Sequence, residues 1–498
     1  MSKRRVLTII LVGSLASSSA IAQLGGGLRG TVGQLGGTVR NTVGTIGGVV
    51  GGTVEGATGT VGGIVGGPVG SALGKSGSNL GGATYRLTGS RIAYRSDPPP
   101  SEGTSSALAG FNTSQLLEES SLDDLTPVTG YLQLGPAEFV ELRRLRHDAL
   151  IDANRKTLDR DDYGQPVRKR ELIAVDPDAA SLATAQRAGF SVMGVEAENS
   201  LGIRMVTLSL PRGMNVRKAL KLLRRSAPAM QVDYNHIYEP AGGALLPAMG
   251  VRLAAYRPVR RGTRIAMIDG GVAAHPSLAN ASIEQRGFAG NAEPTGHGTA
   301  VASLLVGNQG PFRGAARGAE LFVGDVYGGN PAAGSAIAVV QALNWAASKQ
   351  PSVVNVSLVG PHNRTLARAI AVLRARGIQV VAAVGNDGPA APAAFPASYP
   401  GVLAITGVDA ADRALREAGQ AVDLDFAAPG ADLVAALPGT GYTPVRGTSF
   451  AAPFVAARLA ATGSPATLAT EAVPGKGKVG RGIVCRTCRI LPKVVGLR

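Results

Sequence analysis

The run Arg264-Ile265-Ala266-Met267-Ile268-Asp269-Gly270-Gly271 places four consecutive apolar residues directly before an acidic residue and two glycines. A short apolar run that ends at glycine is typical of a strand buried on both faces of a parallel sheet. Further runs rich in Val, Ile and Ala follow, and helical stretches separate them. The predicted strands are 264–268, 320–326, 353–357, 378–384 and 402–407, and the predicted helices are 301–307, 335–348, 364–376 and 449–461. This alternation predicts an α/β fold over 264–498, in which helices cover both faces of a parallel sheet.

Three polar residues lie where such a sheet places its functional site, because substrates of open parallel sheets bind at the carboxyl ends of the strands. Asp269 directly follows the first strand, His297 begins a helix after Gly296, and Ser449 begins another helix after Gly447-Thr448. A serine hydroxyl becomes a good nucleophile when a base removes its proton, and the base needs an acid that fixes its tautomer. Each residue alone is more typical of a structural position, whereas the three in this order predict a catalytic Asp-His-Ser set.

The chain resembles the subtilisin-like serine proteases in the phrases that surround these three residues. The resemblance extends to a glycine-flanked asparagine and to other short phrases, all in the order that the family shows. The matching phrases are Ile268-Asp269-Gly270-Gly271-Val272, His275-Pro276-Ser277-Leu278, Gly296-His297-Gly298-Thr299-Ala300-Val301-Ala302, Gly385-Asn386-Asp387-Gly388, Phe395-Pro396-Ala397, Ala428-Pro429-Gly430 and Gly447-Thr448-Ser449-Phe450-Ala451-Ala452-Pro453. The resemblance implies a subtilisin-like fold for 264–498.

The resemblance also implies a role for each site residue. Ser449 is expected to be the nucleophile, His297 the general base and then the general acid, and Asp269 the residue that orients the imidazole. The carboxamide of Asn386, together with the backbone N–H of Ser449, is expected to stabilise the oxyanion.

Two further phrases carry expectations for the cleft. Ser357-Leu358-Val359 resembles the strand that pairs with an extended substrate, although the family often has Gly where Val359 stands. The Phe395–Pro396 bond is expected to be cis and to shape the wall of the cleft. No convincing cluster of calcium ligands is present in the sequence, so neither a metal nor a cofactor is carried over from the family.

Residues 170–240 precede this domain and predict a small α+β unit. Their pattern of strands and helices follows the order β-α-β-β-α-β, which is typical of a ferredoxin-like sheet with two helices on one face. The unit resembles the family's pro-domain, above all in the phrase 232–240. The resemblance implies that it assists folding and acts as an intramolecular inhibitor across the active site. Residues 241–263 are then expected to be a linker that contains the maturation site, with the first cut between Tyr238 and Arg264.

The N-terminus predicts export. The basic residues Lys3-Arg4-Arg5 precede a short apolar run and the small residues Ala20-Ile21-Ala22, as in a secretory signal peptide over 1–22, with a retained anchor as the alternative. The protein is therefore expected to be secreted or periplasmic. Residues 23–103 are a Gly-rich low-complexity region followed by a Pro-rich linker, which predicts a flexible spacer but leaves self-association or membrane or surface contact open. Residues 104–169 predict a charged helical region without an assigned role.

Charge and cysteine content add little to the functional prediction. The net charge is +16, but the basic residues are scattered and no aromatic residues alternate with them, so solvated helix faces are favoured and no nucleic-acid partner is expected. Cys485 and Cys488 are too few for a four-ligand zinc site, which leaves a local disulfide or two free thiols.

Two classes of function remain open. The first is an exported serine endopeptidase that hydrolyses polypeptide substrates through an acyl-enzyme on Ser449 and is made as a self-processing zymogen. The second is a catalytically silent relative that serves as a binding or surface module displayed by the Gly-rich segment. An esterase of the Gly-x-Ser-x-Gly type is disfavoured, because that motif is absent around Ser449.

Overall fold

A computed structural model of the protein describes residues 134–195, 200–242 and 259–497. All of them belong to the second of two compact units, 92–498, into which the chain divides. The predicted signal peptide, Gly-rich region and Pro-rich linker over 1–103, with the membrane or surface contact expected of them, lie outside the described residues. Within the described part of the chain, no helix combines the length and the apolar character needed to cross a membrane.

Helices and strands alternate along most of the described chain. The helices are α1 (Pro136–Ala153), α2 (Ala179–Arg187), α3 (Val216–Ser226), α4 (Gly296–Val306), α5 (Ala336–Ser348), α6 (Arg364–Ala375), α7 (Thr448–Thr462) and α8 (Pro465–Glu471). The strands are β1 (Leu158–Arg160), β2 (Pro166–Val175), β3 (Ser191–Val195), β4 (Met205–Ser209), β5 (Gln231–His236), β6 (Glu239–Pro240), β7 (Arg264–Asp269), β8 (Ser282–Gly287), β9 (Asn308–Gln309), β10 (Phe312–Arg313), β11 (Glu320–Asp325), β12 (Val353–Val356), β13 (Leu358–Val359), β14 (Gln379–Ala383), β15 (Leu403–Val408), β16 (Phe426–Pro429), β17 (Leu433–Ala436) and β18 (Tyr442–Val445).

The centre of the fold is a seven-stranded sheet with the order β16-β15-β14-β12-β7-β11-β8. Its neighbouring strands all pair in parallel. Successive side chains of a strand point to opposite faces, so Ile265 and Met267 pack in one apolar cluster with α4 and α7, whereas Ala266 and Ile268 pack in a second cluster with α5 and α6. The predicted parallel sheet with helices on both faces is confirmed.

The two edge strands of this sheet, β8 and β16, lie outside the sequence prediction. β8 carries polar, exposed residues such as Glu284 and Arg286, because one of its edges faces away from the sheet. β16 is only four residues long and ends at Pro429. β8 lacks the continuous apolar run of a central parallel strand, and the apolar run of β16 is only three residues long before Pro429, so the sequence pattern did not reveal either strand.

A second, antiparallel sheet precedes the central one and has the order β5-β2-β4-β3, with β1 added beside β2. With α2 and α3 it gives the β-α-β-β-α-β order predicted for 170–240. One face of the sheet packs against the two helices through residues such as Leu172 and Leu220. The other face packs, through Ile173 and Met205, in the apolar cluster that α5 and α6 form.

The region 104–169, which the sequence predicts to be helical, is described from residue 134 onward and is helical only over Pro136–Ala153. Helix α1 ends at Ala153, and the chain then forms the antiparallel pair of β1 with the start of β2. A tight turn joins the two strands: the backbone N–H of Asp161 donates to the carbonyl of Gln165 at 3.0 Å, and Gly164 adopts a φ of +80°. The antiparallel sheet therefore begins before residue 170, and the charged residues of this stretch lie on a hairpin rather than on a helix.

The C-terminal segment resolves the question that the sequence left open about its cysteines. Cys485 and Cys488 form a disulfide across one short turn. Cys485 is buried in the same apolar cluster as α7, so the turn that the disulfide closes packs against the central domain.

Candidate active site

Asp269, His297 and Ser449 meet at the carboxyl end of β7. The Nδ1 atom of His297 lies 2.8 Å from Oδ1 of Asp269, and its Nε2 atom lies 2.9 Å from Oγ of Ser449. All three side chains are buried, with exposed fractions of 0–1%. A proton on Nδ1 donates to the carboxylate, which leaves Nε2 as the acceptor for the serine hydroxyl. The arrangement can therefore activate the hydroxyl for attack on a carbonyl carbon.

Helix starts and glycines position these side chains. His297 is the second residue of α4, whose first turn is capped by the Thr295 hydroxyl, and this hydroxyl accepts the N–H of Gly298 at 3.0 Å. A Cβ atom on Gly298 would lie 2.3 Å from the carbonyl oxygen of Gly270, so only glycine allows α4 to approach the end of β7 this closely. Ser449 is the second residue of α7 and follows Gly447, whose φ is +142°.

Asn386 lies beside Ser449, and both residues contact one carbonyl group. Its Nδ2 donates to the carbonyl oxygen of Ala241 at 2.5 Å, and the backbone N–H of Ser449 donates to the same oxygen at 3.0 Å. The other carboxamide atom, Oδ1, accepts the backbone N–H of Thr448 at 3.1 Å, which fixes the side chain in this orientation. Two donors therefore converge on a single oxygen, which is the geometry of an oxyanion hole.

Residues 238–241 lie along β13 in the manner of a bound peptide. β6 pairs antiparallel with β13, so that Pro240 is opposite Leu358 and Glu239 is opposite Val359. The backbone N–H of Ala241 donates to the carbonyl of Ser357 at 3.1 Å, which extends the pairing by one residue. The predicted strand 357–359 therefore contacts an extended segment of this chain itself.

The residue after Ala241 lies against the nucleophile. A Cβ atom on Gly242 would lie only 2.1 Å from Oγ of Ser449, so the bond between Ala241 and Gly242 is the one next to the hydroxyl. This bond lies within the stretch between Tyr238 and Arg264, in which the sequence predicts the first cut.

The cleft accommodates the two ends of this segment differently. Tyr238 is fully buried and its hydroxyl donates to the carbonyl of Pro361 at 2.8 Å, while a Cβ on Gly360 would lie 2.5 Å from the Tyr238 ring. Ala241, in contrast, is buried in the same apolar cluster as Val359, whose side chain would lie 3.2 Å from a Cβ on Gly385. The Phe395–Pro396 bond is cis, as predicted.

Helix α1 adds cations that the sequence analysis missed. Arg146 Nη2 lies 3.0 Å from Oε2 of Glu239 and 2.8 Å from Oδ1 of Asp387, and Nε of Arg143 lies 3.1 Å from Oδ2 of Asp387. Burial raises the pKa of the Glu239 carboxyl, but the charges of Arg146 and His147 more than offset it, so that the pKa lies well below its usual range. Contacts this distant in sequence leave no local pattern from which they could have been found.

Another aspartate, Asp325, ends β11 directly beside Asp269 and has a different environment. Its carboxylate accepts backbone N–H groups of Glu293, Tyr327 and Gly328 at 2.8–3.1 Å. Burial raises the pKa of Asp325 above its ordinary value. It holds the loop beyond β11 and makes no contact with His297 among the hydrogen bonds of the described residues. The described residues also contain no group of three or more His, Cys, Asp or Glu that could hold a metal ion.

Known proteins resemble this chain in sequence and in fold. The model of the Subtilase family matches residues 260–470. Subtilisin Savinase from Lederbergia lenta is 34% identical over 205 residues, which cover 40% of this chain and 75% of the relative. The chain belongs to the subtilase family. An Alkaline protease from Alkalihalobacillus alcalophilus is also 34% identical over 205 residues, and this subtilase spans about half of that relative's length, 53%. Membership of this family supports the assignment of this chain as a serine protease.

The solved structure of fervidolysin from Fervidobacterium pennivorans, described as a keratinolytic enzyme related to subtilisin, superposes on this subtilase with a TM-score of 0.54. The superposition covers 64% of this chain and 60% of that structure at 19% sequence identity, so it supports the fold alone.

Proposed function

We propose that this subtilase is an exported serine endopeptidase that is made as a self-processing zymogen. The observation that carries the proposal is the position of residues 238–242 in the cleft. The carbonyl oxygen of Ala241 accepts two N–H groups, from Asn386 and Ser449, and Gly242 lies against the Ser449 hydroxyl. An extended peptide held in this way presents a single bond to the nucleophile in a geometry suited to attack.

Each polar group of the site has one task in the proposed reaction. His297 Nε2 takes the proton from Ser449 Oγ, and Oγ attacks the carbonyl carbon of Ala241. The negative charge that develops on the carbonyl oxygen is stabilised by the N–H groups of Asn386 and Ser449. Asp269 accepts Nδ1–H, which maintains the required tautomer and stabilises the imidazolium.

The intermediate then collapses into products. His297 donates its proton to the amino group of Gly242, the bond to Ala241 breaks, and Ala241 remains esterified to Ser449. His297 then takes a proton from a water molecule, whose oxygen attacks the carbonyl carbon of this ester. The bond between that carbon and Oγ breaks, His297 returns the proton to Oγ of Ser449, and the fragment that ends in the carboxyl group of Ala241 is released. The same sequence of steps would hydrolyse any polypeptide that pairs with Ser357-Leu358-Val359 in the same register.

The segment before Gly242 has the properties that a zymogen requires. Residues 238–241 occupy the cleft, and the antiparallel sheet packs on α5 and α6 over a shared apolar cluster. We therefore propose that 170–240 is a pro-domain that inhibits the enzyme and assists its folding, and that 241–263 contains the maturation site at Ala241–Gly242. Export follows from the signal peptide proposed for 1–22.

A serine-directed fluorophosphonate probe, applied to the matured protein, tests the catalytic assignment. We expect labelling at Ser449, together with hydrolysis of a peptide that contains the sequence of 238–242. His297→Ala should abolish both, because the hydroxyl then has no base. A matured protein that is neither labelled nor hydrolytic would instead support the alternative of a catalytically silent binding module.

A further inference from the structure

The segment 238–241, which we call the pro-segment, places the acidic side chain of Glu239 beside that of Asp387 in the catalytic domain. If Ala241–Gly242 is the bond that is cut, Glu239 is the third residue before it. One nitrogen of Arg146 contacts the carboxylates of both Glu239 and Asp387, at 3.0 Å and 2.8 Å, so the two carboxylates are close neighbours. Two carboxylates that both contact the same nitrogen atom are close enough to repel each other unless a cation lies between them. The zymogen supplies that cation from α1.

The cations that satisfy Asp387 belong to the part of the chain that processing removes. Among the described residues, the ion pairs of Asp387 are with Arg143 and Arg146, both on α1 and both N-terminal to Gly242. Cutting the bond before Gly242 leaves α1 on the same fragment as Glu239, and this fragment must leave the cleft before another substrate can bind. In the mature enzyme the Asp387 carboxylate therefore faces the cleft without these two arginines.

The position of Asp387 is fixed by its neighbours in the catalytic domain. It directly follows Asn386, whose carboxamide is held by Thr448, and it precedes Gly388, whose N–H donates to the carbonyl of Glu417 at 2.8 Å. A substrate residue opposite Val359, where Glu239 now lies, would therefore remain near the Asp387 carboxylate, because the backbone that carries this side chain is held in place. A long cationic side chain at that position could reach the site that Arg146 occupies.

We propose that Asp387 is a specificity-determining residue of the mature enzyme, which favours peptides with Lys or Arg at the third position before the scissile bond and disfavours Glu there. This inference rests on the proposed function. The Glu239 of the pro-segment is then a poorly matched residue that binds well only while α1 provides Arg146. Peptides without such a cation should be weaker ligands of the cleft.

The test uses matured wild-type enzyme and three peptides with the sequence of 238–243, one unchanged, one with Glu239→Ala and one with Glu239→Lys. We expect kcat/KM to be about 10–100-fold higher for the lysine peptide than for the glutamate peptide, with the alanine peptide between them, because like charges at an interface are strongly disfavoured and opposite charges favoured. The ratio should fall as salt is added, since the cleft is open to solvent.

The ratio of the two rates, taken within each variant, removes any general effect on activity. Asp387→Asn should reduce the lysine-to-glutamate ratio to about threefold or less. Glu284→Gln, which removes one negative charge from the edge strand β8, is the matched control and should keep the wild-type ratio. Equal rates for the two charged peptides in the wild type, or a ratio that persists in Asp387→Asn, would overturn the inference.

Failure of the proposed function would look different. A matured protein that hydrolyses none of the three peptides would contradict the protease assignment itself. The dissociation constants of the three peptides for that protein, measured by calorimetry, would then test the role of Asp387. The lysine peptide should still bind more tightly than the glutamate peptide, and Asp387→Asn should reduce this difference.

Discussion

Replacing Asn386 with alanine removes one of the two hydrogen-bond donors to the carbonyl oxygen of Ala241. The carboxamide donor lies 2.5 Å from this oxygen and the backbone donor of Ser449 lies 3.0 Å from it. Loss of one donor of this kind lowers kcat by about 10²–10³, or about 2.7–4 kcal/mol, which is the range measured for subtilisin, a member of this family. We expect the same range here. KM should change little, because the pairing with β13 holds the substrate equally well without Asn386.

Two readouts measure this effect. The first is the steady-state kcat and KM of the matured variant on a peptide with the sequence of 238–243. The second is the rate at which the purified full-length chain cuts itself after Ala241. That reaction is intramolecular, so it contains no KM and should slow by the same factor as kcat.

A matched variant separates loss of the donor from local disruption. Asn386→Asp has the same shape and keeps an acceptor for the N–H of Thr448, but it offers a carboxylate where Nδ2 now donates. Its kcat should fall at least as far as that of Asn386→Ala. Unchanged kcat and unchanged processing rate in both variants would refute the assignment of Asn386 to the oxyanion.

The remaining predictions concern specificity and stability. Val359 packs in the same apolar cluster as Ala241 and lies against Gly385, the residue before Asn386. We therefore expect Val359→Gly to enlarge the space for the residue before the scissile bond and to raise kcat/KM for peptides with Phe there by roughly tenfold relative to those with Ala. An unchanged ratio of the two peptides would exclude Val359 from that pocket. Burial lowers the pKa of His362 from 6.5 to about 4, so the unfolded chain binds the proton more readily between these values. The contribution of His362 to the free energy of unfolding should therefore be fully present above pH 6.5 and decrease by up to about 3 kcal/mol as the pH falls to 4. In the non-processing Ser449→Ala background, urea unfolding should show that His362→Gln loses this component, and an identical pH dependence would contradict it.

The sequence revealed the parts of the molecule that depend on local patterns. Asp269 could be placed because it follows a continuous apolar strand, and His297 and Ser449 because glycines precede each of them at a helix start. The pattern of continuous apolar residues did not reveal β8, because β8 is a polar edge strand. It also failed for the hairpin of β1 and β2, whose turn depends on hydrogen bonds of Asp161 and on the positive φ of Gly164.

The occupant of the cleft could not be predicted residue by residue, for a physical reason. Ala241 reaches the two N–H donors because the sheet of β2 to β5 packs on α5 and α6 and thereby sets the register of β6 against β13. The ion pairs of Arg146 with Glu239 and Asp387 join three segments that are far apart in sequence. Such contacts follow from the packing of whole elements and leave no local pattern.

The most direct test of the account is the N-terminal sequence of the matured protein, determined together with the intact masses of wild type and Ser449→Ala. Both chains are to be purified without any other protease and incubated in parallel. If the enzyme cuts itself at Ala241–Gly242, the wild-type chain acquires a new N-terminus at Gly242, the released fragment ends at Ala241, and Ser449→Ala remains joined. A wild-type cut at a different bond, or processing of Ser449→Ala at the wild-type rate, would contradict it.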